Sequence, residues 1–197
     1  PSANYKNPDE QKKLLTVARL DLHKGHDRVL EALAILKAQG ITPQYIIVGQ
    51  GDEEIRLKKM TQTLGLENQV EFTGFISGNQ LPPMYNSCDI YVMASREIPG
   101  RLDLIEGFGI SFLEAGASAM PVVAGDSGGV SDAVRNGKTG ILVNPDKSDD
   151  IASAIKRLLI DEELARRLGN EGRRWTETQM SWEQVAERLV NSIQRMA

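Results

Sequence analysis

Leu14-Leu15-Thr16-Val17-Ala18, followed by Val29, Leu30, Leu33, Ala34, Leu36 and Ala38 and then by Gly40, decides the fold. The first run is short and shows no strict polar alternation, so it reads as a strand covered on both faces. The second set recurs at helical spacing and stops at a glycine. The same alternation continues along the chain. Tyr45-Ile46-Ile47-Val48 is a strand, followed by a charged helix from Asp52 to Leu64 that Gly65 ends. Val70-Glu71-Phe72-Thr73 is a short strand, and Asn79 to Ser87 a brief helix that tolerates Pro82 and Pro83 in its first turn. Asp89-Ile90-Tyr91-Val92-Met93 is a strand, with a long loop from Ala94 to Ile105 and a helix from Ser111 to Ser118 after it. Pro121-Val122-Val123-Ala124 and Gly140-Ile141-Leu142-Val143 are strands on either side of a short helix from Val130 to Arg135. From Ser148 onward the pattern is helical, with Gly169 and Gly172 expected to interrupt it. Strands buried on both faces and joined by helices require a parallel sheet, so the expected fold class is α/β, a Rossmann-like doubly wound sheet of about six strands with helices on both faces.

Composition narrows the function. The 197 residues carry 23 Lys and Arg against 27 Asp and Glu, a net charge of −4, with 41% hydrophobic and 25% charged residues. These are ordinary values for a folded chain. The acidic balance argues against a nucleic-acid face and leaves room for a local basic pocket. A single cysteine, Cys88, excludes an internal disulfide and a multi-cysteine metal site, which makes the cytosol the expected compartment. Cys88 itself reads as a small buried hydrophobe. No apolar run approaches the ~18 residues of a membrane span. Residues 1–12 are polar and read as a linker or hinge, and without an initiator methionine the chain is expected to be an excised piece.

In an open parallel sheet, ligands bind beyond the carboxyl ends of the strands, so the loops after each strand are where chemistry belongs. Gly49-Gln50-Gly51 supplies a G-x-G, but Glu54 occupies the third glycine's position and the dinucleotide pattern fails. Gly137-Lys138-Thr139 resembles the end of a P-loop, yet Asp132 stands at the leading glycine and a strand follows. Glu106-Gly107-Phe108-Gly109-Ile110-Ser111-Phe112-Leu113-Glu114 survives. Its glycines let backbone approach a ligand, and the helix start offers unpaired N–H groups to an anion. Glu106 and Glu114 would repel a phosphate and suit the hydroxyls of a sugar or ribose. Arg19 and Lys24, five residues apart after the first strand, can supply the charge that a diphosphate needs. Together these features read as a site for a nucleotide diphosphate sugar.

The R-x4-K-G run Arg19 to Gly25, the V-G-x-G at Val48 to Gly51, the E-x7-E run Glu106 to Glu114, Pro121-Val122-Val123 and Gly128-Gly129 occur in this order. That ordered set resembles the C-terminal, donor-binding domain of family 4 retaining glycosyltransferases of the GT-B fold, from roughly Lys13 onward. The resemblance implies that Arg19 and Lys24 hold the diphosphate of a nucleotide sugar donor, and that Glu114 accepts from the ribose hydroxyls. It implies that Glu106 and the Gly107, Phe108, Gly109 and Ile110 segment address the sugar and phosphate, with Glu106, Arg19 and Lys24 as the catalytic set. Gly49 would line the donor site, and Phe75 and Ile76 would flank the base. It further implies hexosyl transfer with retention and no cofactor or obligatory metal, in keeping with the lack of an Asp-x-Asp or histidine cluster. The stretches 98–105 and 124–129 look most like the mannosyltransferase branch using GDP-mannose, with a UDP-sugar next. The acceptor would be a glycan or lipid, as in cell-envelope biosynthesis, bound by a missing N-terminal domain. Through that domain the whole protein could touch the inner face of a membrane. The donor domain is expected over 13–180, and 181–197 as a helix crossing to the missing domain, with Val185, Leu189 and Ile193 on one face. The isolated chain is expected to bind donor and turn over poorly.

Other residues carry plainer expectations. His23 and His26 read as surface or capping residues rather than bases, Asp126 as a turn or cap residue, and Trp175 and Trp182 as packing residues. Ser127 has no base at a usable spacing for nucleophilic catalysis. A nucleotide-sugar 2-epimerase half would need a histidine- and acid-rich cleft. A non-catalytic doubly wound signalling module would need an acidic phosphoacceptor cluster, which Asp21 and Asp52 do not reproduce.

Overall fold

Strand β1 (Lys13–Val17) sends Leu14 into the core on one face and Leu15 into the core on the other, and both are fully buried. The computed structural model describes residues 11–101 and 103–196. The pattern of β1 repeats in β2 (Gln44–Val48), where Tyr45 and Ile47 face one core and Ile46 and Val48 the other. It repeats again in β4 (Ile90–Met93), which alternates Ile90 and Val92 with Tyr91 and Met93. With β3 (Val70–Gly74), β5 (Val122–Gly125) and β6 (Ile141–Val143) they form one parallel sheet in the order β3-β2-β1-β4-β5-β6.

Two layers of helix cover the two faces. Helix α1 (His26–Ala38) lays Val29, Leu30, Leu33 and Leu36 on the first core, with Leu57 of α2 (Glu54–Thr63) and Ile151, Ile155 and Leu158 of α6 (Ser148–Ile160). Helices α3 (Leu81–Ser87), α4 (Ile110–Ala117) and α5 (Val130–Ala133) cover the second, through Tyr85, Phe112, Ala115, Val130 and Ala133. Each fully buried aliphatic side chain contributes roughly 1.5–3 kcal/mol, which is why strands without a wet face can be held here. Cys88 is buried just before β4, as its type suggests.

The C-terminal half corrects one expectation. Gly169 and Gly172 do not break the chain but sit inside α7 (Glu162–Gln179), and the breaks fall at Asp161 and at Met180-Ser181, before α8 (Trp182–Met196). The Asp161 carboxylate accepts the Leu164 N–H at 2.9 Å and caps α7. Gly169 serves close approach instead, since a Cβ there would overlap the Ala119 carbonyl oxygen, and Gly172 faces α4, where a Cβ on Gly116 would come 3.2 Å from the Gly172 carbonyl oxygen.

The linker expected over 1–12 falls mostly outside the described residues. Gln11 and Lys12 are described, and both are tied to the fold. Gln11 Nε2 donates to the Thr42 carbonyl at 2.7 Å, and the Gln44 N–H donates to the Lys12 carbonyl at 2.9 Å. At the other end, Trp182, Val185, Val190 and Ile193 of α8 are exposed, while the side chain of Leu189 lies outside the described residues. No described helix is long and apolar enough to cross a membrane.

The strand order positions the site. From β1 the chain winds outward to β2 and β3, then returns to β4 beside β1 and winds the other way. The loops after β1 and β4 therefore part from each other, and the crevice between them is where this fold binds ligands.

Candidate functional site

The loop after β1 is built against the loop after β2. The Ala18 N–H donates to the Val48 carbonyl, Leu20 N–H to the Gln50 carbonyl and Glu53 N–H to the Leu20 carbonyl, each at 3.0 Å. A Cβ on Gly49 would overlap the Ala18 carbonyl, so Gly49 holds this backbone in place. Arg19, on the loop so fixed, is 75% exposed with its Nε 3.2 Å from Asp21 Oδ2. It is a cation presented to solvent at the crevice.

Lys24 ends a 3-10 turn, Leu22–Lys24, that the sequence pattern does not announce. Gly25 follows with φ +71°, and any side chain there would run into the Ala94 carbonyl after β4. The close contact brings Lys24 Nζ to 2.6 Å from Glu106 Oε2, with Ser95 Oγ 3.4 Å from the same oxygen. The Glu106 side chain is only 8% exposed, so a buried carboxylate is matched by an ammonium and a hydroxyl. Behind it, the Gly129 N–H donates to the Glu106 carbonyl at 2.9 Å, and Gly128 and Gly129 lie where side chains would overlap the Glu106 and Gly107 carbonyls.

Helix α4 begins at Gly109, with φ +85° and no side chain capping its first turn. Its leading amides are thus open to an anion. Nothing lies within 4 Å of where a Gly107 Cβ would be. Ile110 is exposed, while Phe108 is half-buried against the second core. One turn on, Glu114 is exposed and accepts the Tyr85 hydroxyl at 2.6 Å. Burial, the neighbouring Tyr91 and the Glu114 carboxylate all raise the Tyr85 pKa, so the phenol stays a donor. Tyr85 is a residue the sequence reading missed, because nothing in Leu81-Pro82-Pro83-Met84-Tyr85 announces contact with a glutamate 29 positions away. Phe75 is 76% exposed after β3, and Ile76 is half-buried against the second core.

Both histidines depart from expectation by being buried. His26 Nε2 lies 3.0 Å from the Arg19 carbonyl, which can only accept, so Nε2 carries the proton. Burial lowers its pKa to about 4 and keeps the ring neutral. Burial, then the Lys24 charge, also lowers that of His23. His26 thereby pins the backbone of Arg19 from beneath. Also unforeseen is a buried pair beside these loops, Asp27 with Arg96. Among the described residues no group of three His, Cys, Asp or Glu side chains is placed to hold a metal ion.

Comparison with known proteins bears on this geometry. Residues 2–175 match the family model described as glycosyl transferases group 1. Over 184 residues the chain is 34% identical to a GDP-mannose-dependent alpha-(1-6)-phosphatidylinositol monomannoside mannosyltransferase of Mycobacterium tuberculosis, covering 93% of this chain and 48% of that protein. The chain spans about half the length of the curated relatives it matches. The C-terminal domain of a glycosyl transferase group 1 protein from Francisella tularensis superposes with a TM-score of 0.75 at 27% identity, covering 87% of each chain. Anabaena HepE, solved with UDP and glucose, superposes with a TM-score of 0.81 at 24% identity over 95% of this chain and 49% of that one, a likeness of fold. The epimerase and signalling-module readings find no support here. Sheet order, sequence and superposition agree, and the chain belongs to the glycosyl transferases group 1 family, matching the C-terminal half of a GT-B glycosyltransferase.

Proposed function

We propose that this chain is the donor-binding domain of a retaining glycosyltransferase that takes a hexosyl group from a nucleotide diphosphate sugar, with GDP-mannose favoured. The observation that carries the proposal is the meeting of Lys24 and Glu106 at the switch point, beside the uncapped amides of α4 and the exposed Arg19. The GDP-mannose dependence of the mycobacterial relative supports the choice of donor, and the UDP complex of HepE makes a UDP-sugar the second candidate.

In this reading Arg19 and Lys24 hold the diphosphate from one side, and the α4 amides from the other. The bond between the sugar's anomeric carbon and the diphosphate oxygen breaks as a bond from that carbon to an acceptor hydroxyl oxygen forms. The electron pair leaves with the diphosphate, whose freed oxygen takes up the acceptor's hydroxyl proton. The fixed cations and amides stabilise that charge without a metal, an electrostatic contribution that removal of single donors elsewhere places at roughly 3–4 kcal/mol each. Glu106, held by Lys24 and Ser95, accepts from a sugar hydroxyl, and Glu114, oriented by Tyr85, accepts from the ribose diol. Phe75 and Ile76 flank the base. The acceptor, a glycan or lipid, is bound by a second domain across the crevice, so this chain alone binds donor and transfers little. Exposed apolar residues on α8 would meet that domain. Calorimetric titration with GDP and UDP tests the proposal: heat of binding with at least one is expected, and none with either at millimolar ligand overturns it.

A further inference from the structure

Asp27, on the first turn of α1, and Arg96, just beyond β4, are 69 positions apart and meet at the switch point. Arg96 Nη1 and Nη2 donate to Asp27 Oδ1 and Oδ2 at 2.7 and 2.9 Å, and both residues are buried. Arg56 of α2 adds a third donor, 3.2 Å from Oδ2. Burial by itself would raise the Asp27 pKa; the two arginines outweigh it and hold the carboxyl below its usual value.

A buried ion pair gains little over apolar packing of the same volume, so its net stability does not explain it. Its position does. The Arg96 N–H donates to the His23 carbonyl at 2.8 Å, and Gly25 packs on the Ala94 carbonyl. Two neighbours of the pair, Lys24 three residues before Asp27 and Ser95 beside Arg96, reach the same oxygen of Glu106. The pair therefore joins the two segments whose ends hold that carboxylate.

We propose that Asp27 and Arg96 are positioning residues that lock residues 23–27 to residues 94–96 and so set where Lys24 and Glu106 stand relative to the donor diphosphate. The pair touches no substrate atom and acts through Lys24. This rests on the reading of Lys24 as a diphosphate ligand, and the test separates the two.

A double-mutant cycle on GDP affinity makes that separation. Arg96→Lys keeps the charge but cannot fork across both carboxylate oxygens. It is expected to weaken GDP about tenfold in the wild-type background, as a displaced ligand group should, and less than twofold in a Lys24→Ala background. A merely structural pair would lower the melting temperature with the same loss of affinity in both backgrounds. That result, or unchanged affinity in the first, overturns the positioning role and leaves Lys24 as ligand. If Lys24→Ala alone does not weaken GDP, the diphosphate reading falls and this proposal with it. Should Arg96→Lys fail to fold, Asp27→Asn with Arg96→Gln removes both buried charges, retains a hydrogen-bonded pair, and enters the same cycle.

Discussion

Lys24 Nζ donates to Glu106 Oε2 at 2.6 Å, a contact between residues 82 positions apart that spans the loops after β1 and β4. Removing the ammonium should do two separable things. Lys24→Ala is expected to weaken GDP at least tenfold, since charge-assisted hydrogen bonds contribute about 1.5–3 kcal/mol. It should also lower the melting temperature by leaving a buried carboxylate unmatched. Adding Glu106→Gln should restore the melting temperature and not the affinity, which calorimetry and thermal melts on the same samples will distinguish.

Glu114 is assigned to the nucleoside and not to the phosphates. Glu114→Ala should weaken GDP by about 1–3 kcal/mol, the cost of a lost hydrogen bond to a charged acceptor, and leave pyrophosphate binding unchanged. A GDP analogue lacking both ribose hydroxyls should bind the wild type and Glu114→Ala equally. Tyr85→Phe, which frees the carboxylate without removing it, should cost only a few-fold in GDP affinity.

His26 makes stability depend on pH. Its folded pKa is about 4 against an ordinary 6.5, so the folded chain binds fewer protons than the unfolded one between those values. Stability is then full above pH 6.5 and declines as pH falls toward 4, by up to about 3 kcal/mol. Denaturant unfolding at pH 7.5 and 5 should show the decline, and His26→Gln should reduce it to the part that His23, whose pKa burial also lowers, contributes. Asp27, held below its usual value, adds a further loss only below about pH 4.

Gly169→Ala should destabilise the chain by about 1–3 kcal/mol because the added methyl meets the Ala119 carbonyl, although alanine is the better helix former by ~1 kcal/mol. Ala119 itself has φ +57°, so Ala119→Gly should raise stability by about 1 kcal/mol. Thermal unfolding of the two variants beside the wild type decides both.

The six strands are legible in the sequence because runs such as Leu14-Leu15 and Ile90 to Met93 bury both faces and leave few other readings. Their spatial order is not, since an apolar run does not say which neighbour it pairs with. Lys24 and Glu106 can be singled out as charged residues on loops after buried strands. That one holds the other is a property of the crevice alone. Tyr85, Asp27 and Arg96 escape notice because each looks ordinary locally and gains its role from a partner 29 or 69 positions away. Gly169 and Gly172 mislead for a related reason: a glycine can mark a helix end or a close approach, and only the facing backbone of Ala119 and Gly116 tells which.

A crystal structure of this chain soaked with GDP-mannose, beside one soaked with UDP-glucose, tests the donor site most directly. The expected result is a diphosphate within hydrogen-bond reach of Lys24 Nζ, the Arg19 guanidinium and the amides of residues 107–110, with the ribose on Glu114, and with better order for GDP-mannose. A nucleotide bound away from the crevice between the β1 and β4 loops, or there with its diphosphate out of reach of Arg19 and Lys24, would contradict it.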